Sequence, residues 1–121
     1  MSLKQTVARL TLFARLWIVA KQKGLVVAWS FNRLRATPRS RSKENIIGLY
    51  YSDHGLVLLG AGHFLDPYTL AHELGHHELR KRKHTEADAN LKAREIISRI
   101  CDANVLFLMQ GEMDESLSSV E

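Results

Sequence analysis

Apolar side chains at Leu3, Val7, Leu10, Ala14 and Trp17 recur at intervals of three and four, with Lys4, Arg9 and Arg15 off that line. This is the period of an amphipathic helix, so the spacing predicts a helix over 3–20, with these apolar residues toward the core and Gly24 as its end. Residues 25–30 form a short β-branched and aromatic run, which predicts a strand with Trp29 packed inside. The stretch 32–45 is polar, basic and interrupted by Pro38, the pattern of a long, exposed and mobile loop. Two further apolar runs, 46–51 and 56–60, are separated by Ser52, Asp53, His54 and Gly55, a turn-forming set of hairpin length. A small, mostly antiparallel sheet is expected.

Beyond the hairpin the pattern becomes helical again. The Asp66 side chain can accept from the free N–H groups of a first turn, and Pro67 suits the first helical position, so a helix is predicted over 67–83. Thr85 can cap another, with Asp88 three residues on as the acid of a capping box. Ala89, Ala93, Ile96, Ile97 and Ile100 then recur on one side. The run 105–109 is a last short apolar element, and 111–121 is acidic, Ser-rich and expected to be disordered. The elements describe an α+β chain with one domain over 1–110 and an acidic tail over 111–121.

Composition narrows the setting. With 121 residues, 45% of them hydrophobic, one modest core is feasible and two are not. The single Cys101 excludes an internal disulfide framework and a cysteine-built metal site, and fits a reducing, cytoplasmic location. No apolar run approaches the ~20 residues of a membrane span, and Arg9 and Arg15 interrupt the segment where an export signal would be apolar. The net charge of +4 conceals a basic body, since every Lys and Arg precedes residue 101, and an acidic end. The basic residues Arg33 to Lys43 and Arg80 to Lys83 lack interleaved aromatics, so they read as solvated surface and no direct nucleic-acid ligand is expected.

His72-Glu73-Leu74-Gly75-His76 is an HExxH pattern inside a segment assigned as helix on other grounds. Helical positions four apart have β-carbons ~5–6 Å from one another, so two imidazoles can reach one ion from one face. Glu73, one step round, can then act as a general base beside a metal-bound water. Chance produces the pattern in roughly 0.02 chains of this composition. Two histidines leave a zinc site short of a ligand, and His77, His84, Glu86 and Asp88 are the candidates downstream. Helical phase puts Glu86 on the buried edge of its helix, with Asp88 toward water and Asn90 placed to orient the Glu86 carboxylate. Tyr50 and Tyr68 are read as packing residues, and His54 and His63 as loop histidines without a partner.

Over residues 46–97 the hairpin, the segment Leu70-Ala71-His72-Glu73-Leu74-Gly75-His76-His77 and the segment Glu86-Ala87-Asp88-Ala89-Asn90 with Ala93 together resemble the ImmA/IrrE-type metallopeptidases of bacteria, phages and mobile elements. The resemblance implies a zincin-like minimal domain and a zinc-dependent endopeptidase. His72, His76 and Glu86 would be the zinc ligands and Glu73 the catalytic base. The substrate it implies is a protein, a repressor or other DNA-binding regulator. The alternative from a different class is a non-catalytic zinc-containing regulator that acts by binding a partner. An extended substrate is expected to add to an exposed sheet edge along 56–61.

Overall fold

The computed structural model describes residues 2–30, 48–60 and 62–118. The loop expected at 32–45 lies outside the described residues, as do Ile46 and Ile47 at the start of the expected hairpin strand.

Helix α1 spans Leu3–Gln22 and opens on a capping box, in which Ser2 accepts from the Gln5 amide and the Gln5 side chain accepts from the Ser2 amide. It buries Ala8, Leu12, Phe13, Leu16 and Ala20. The predicted core stripe is therefore the outer one: Leu3, Val7, Leu10 and Trp17 are exposed, and so is Ile18. Both sides of α1 are apolar at helical spacing, so periodicity alone could not say which side the protein uses. The buried side packs against α2, α3, α4 and β1. Trp29 is likewise not core. It is exposed, and its indole N–H donates to the Phe64 carbonyl at 2.7 Å.

Three short strands form one sheet in the order β1 (Val26–Trp29), β3 (Leu56–Leu59), β2 (Gly48–Tyr51). The hairpin is as expected, with Gly48 opposite Leu59 and Tyr51 opposite Leu56. Gly55, at φ 58°, supplies the left-handed turn residue. The expected mostly antiparallel sheet is instead mixed, because β1 runs parallel to β3, from Val26 opposite Leu56 to Trp29 opposite Leu59. Apolar runs carry no record of direction, and the long connection after β1 permits either one. β3 is consequently central and hydrogen-bonded on both sides, so 56–59 offers no free edge to a substrate. Among the described residues, the outer edges belong to β1 and β2.

Helix α2 (Pro67–Glu78) starts as expected, the Asp66 carboxylate accepting from the Tyr68 and Thr69 amides. It ends earlier than predicted. The Leu79 N–H closes the last turn on Gly75, and the cationic run Arg80 to Lys83 becomes the turn into the next helix. Helix α3 (Glu86–Ile100) has the Thr85–Asp88 capping box and buries Ala89, Ala93, Ile96 and Ile97. Helix α4 (Ala103–Ser116) corrects the reading of the C-terminal part. The short element at 105–109 extends through most of the expected tail, because Met109, Met113 and Leu117 continue a buried four-residue spacing that the acidic composition masks. Its acids turn toward the basic body: Glu112 lies 3.8 Å from Arg9 and accepts from Tyr68, and Asp114 accepts from Arg94 at 2.8 Å. Among the described residues, no helix is long and apolar enough to cross a membrane.

Candidate metal centre

A close approach of α2 and α3 sets the geometry of the site. A β-carbon at Gly75 would stand 2.5 Å from the Ala89 carbonyl oxygen, so only glycine lets α2 and α3 approach this closely. That approach brings the first turn of α3 over the middle of α2. Nε2 of His72 lies 2.6 Å and Nε2 of His76 3.2 Å from the same Glu86 oxygen, and the two nitrogens are 3.1 Å apart. The arrangement is a His-His-Glu group able to hold a metal ion, and no fourth donor joins it among the described residues. Asp88 is engaged elsewhere, its carboxylate accepting from the Thr85 amide in the helix cap.

Hydrogen bonds behind the imidazoles decide where their protons sit. Asn90 donates through Nδ2 to the Ser118 carbonyl at 2.9 Å, which turns its Oδ1 to Nδ1 of His72 at 2.6 Å. In a neutral His72 ring the proton then sits on Nδ1 and the lone pair on Nε2. His76 is held similarly by His84, whose Nε2 lies 2.8 Å from Nδ1 of His76. Burial holds the pKa of His76 below its ordinary value, although the nearby Glu86 charge opposes this. Glu86 is held below the usual carboxylate range. Burial pushes it up, and the neighbouring imidazoles of His76 and His72 outweigh that push. Two imidazole nitrogens and a carboxylate oxygen thus converge on one point. A shared proton can bridge one such pair, whereas a metal ion can satisfy all three.

Glu73 stands beside this point in a different environment. It is 4% exposed, with one oxygen 3.9 Å from Nε2 of His72 and the other buried without a hydrogen-bond partner. Strand β2 presses on it from above: a β-carbon at Gly48 would meet the Thr69 methyl at 2.7 Å and the Glu73 side chain at 3.4 Å. Burial first, and the Glu86 charge second, push its pKa up to about 8. A buried, unpartnered carboxylate oxygen is costly, and Glu73 is also among the residues lining an open cavity of about 1000 Å³.

The four residues singled out in the HExxH segment and at Glu86 are brought together. The role read for Asn90 is corrected: it orients His72 rather than the Glu86 carboxylate. His84, considered as a ligand, stands behind one instead. His63 does have a partner, its Nδ1 lying 3.1 Å from Asp66. The hydroxyls of Tyr50 and Tyr68 are both engaged, with His77 at 2.7 Å and with Glu112 at 3.0 Å. Helical phase identified Asn90 as a neighbour of the site. No periodic signal marks His84, which sits in a turn. No protein-family model, curated protein or solved structure matches the chain.

Proposed function

We propose that the protein is a zinc-dependent endopeptidase of the ImmA/IrrE type, with a repressor or similar regulator as substrate. The observation that carries this reading is the convergence of the Nε2 atoms of His72 and His76 with Glu86, beside a buried carboxylate that has an unsatisfied oxygen. Three protein donors of nitrogen and oxygen type suit zinc, and three rather than four suit a catalytic rather than a structural site. When bound, zinc would polarise the scissile carbonyl and lower the pKa of an attacking water. His72, His76 and Glu86 would hold it. Glu73 takes the proton of the attacking water and passes it to the departing amine, work suited to a carboxyl whose pKa is raised toward neutrality. Gly48 keeps β2 low over Glu73. The outer edge of β2, with Gly48, Leu49 and Tyr50 lining the cavity, gives an extended peptide a row of backbone groups to pair with. This edge replaces the one expected along 56–61.

The test is a cleavage screen against candidate regulators with zinc-loaded wild type and Glu73→Gln. Scission by the first and none by the second is expected. The second reading, a regulator acting by contact, draws on the exposed apolar stripe Leu3, Val7, Leu10, Trp17 and Ile18 of α1. Full biological activity of Glu73→Gln would favour it.

A further inference from the structure

We propose that His84 is a positioning residue for His76: it accepts the Nδ1 proton of that ring and so keeps Nε2 bare and aimed at the point shared with His72 and Glu86. The proposal rests on the metal-centre reading above and adds to it a residue from outside the HExxH pattern and the α3 segment.

A backbone carbonyl can only accept a hydrogen bond. The Arg82 oxygen lies 3.0 Å from Nδ1 of His84, so that nitrogen carries a proton. In neutral His84 the other nitrogen, Nε2, is then an acceptor. It faces Nδ1 of His76 at 2.8 Å, and His76 must donate to it. The two rings stand 5.0 Å apart with their planes inclined at 48°. An imidazole held in this way has its tautomer chosen for it, because the hydrogen bond at one nitrogen decides the protonation of the other.

The support itself is fixed at both ends. On one side the Arg82 amide donates to the Leu79 carbonyl in the turn that follows α2. On the other, Thr85 is tied by its reciprocal bonds with Asp88 at the start of α3. His84 lies between these two fastenings and is partly buried, so its ring is presented to His76 by backbone that has little freedom. The two metal-facing histidines are thus supported from different places: His72 by an amide one turn into α3, His76 by the turn that joins the helices.

Two variants of the full-length chain test this. His84→Ala removes the acceptor, whereas His84→Gln puts an amide oxygen near the position of Nε2. Long-range proton–nitrogen correlation spectra of chelator-treated protein report the His76 tautomer, and competition against a chromophoric chelator reports zinc affinity. Wild type should show His76 protonated at Nδ1. His84→Ala should shift it toward the Nε2-protonated form and weaken zinc binding by about 10- to 100-fold. His84→Gln should restore the tautomer and bring affinity to within about threefold of wild type. An unchanged tautomer in His84→Ala, or equal losses in both variants, would overturn the proposal. If wild type itself takes up no zinc, the metal reading fails, and the tautomer comparison still decides the part played by His84.

Discussion

At the scale of single residues, Glu86 and Asp88 separate binding from folding. Both are acids in the first turn of α3, yet one faces the two imidazoles and the other closes the helix cap. Glu86→Ala is expected to abolish tight zinc binding with little change in melting temperature of the metal-free protein. Asp88→Ala should lower that temperature and leave zinc affinity nearly intact. Chelator competition beside thermal denaturation distinguishes the two, and equal losses of affinity would reject Glu86 as ligand. Glu73 gives a prediction in pH. Its folded pKa is raised from 4.5 to about 8, so across that interval the native state retains a proton that the unfolded chain has lost. Stability therefore falls as pH rises through the interval. In chelator-treated protein the Glu73→Gln variant should lack this component, being more stable than wild type at pH 8 and similar to it near pH 4. Melting curves at several pH values would show it, and parallel curves for the two proteins would refute it.

At the scale of elements, the decisive contact is the crossing of α2 and α3. Gly75→Ala is usually favourable inside a helix by about 1 kcal/mol, but here the new methyl meets backbone at 2.5 Å. Overpacking of this kind costs about 1–3 kcal/mol, and α3 can relieve it only by withdrawing Glu86 and Asn90 from the histidines. Loss of zinc affinity together with stability is expected. A more stable variant with unchanged affinity would contradict the geometry. Helices α1 to α3, the caps at Asp66 and Thr85 and the HExxH spacing were readable from the sequence, since each depends on residues within a turn or two of one another. What was not readable depends on distant partners. The direction of β1 is set by pairing with β3, the buried side of α1 by packing on three other helices, and the true edge of the sheet by strand order. Residues 111–117 were read by composition where spacing was the better guide: Met109, Met113 and Leu117 keep one side of α4 apolar among its acids.

At the scale of the whole molecule, α4 links the C-terminal region to the candidate metal centre. Leu117 is fully buried, and the Ser118 carbonyl fixes the amide of Asn90 behind His72. Truncation after Ser116 should cost about 2–5 kcal/mol, as for a deleted core leucine, and weaken zinc binding roughly tenfold. Truncation after Ser118 should change neither. Denaturant titration and chelator competition on both truncations decide this. The three proposed ligands have the opposite distribution along the chain, with His72 and Glu86 only fourteen positions apart. Closing so short a segment costs an unfolded chain little entropy, so an ion can gather part of its ligand set before the sheet and α4 assemble. Two of the residues that shape the site, Gly48 over Glu73 and Ser118 behind Asn90, arrive from far along the chain. Zinc capture during refolding should accordingly be early and loose, tightening only as the distant segments dock. An ion already held in part by the unfolded state raises the stability of the folded one by less than its final affinity implies.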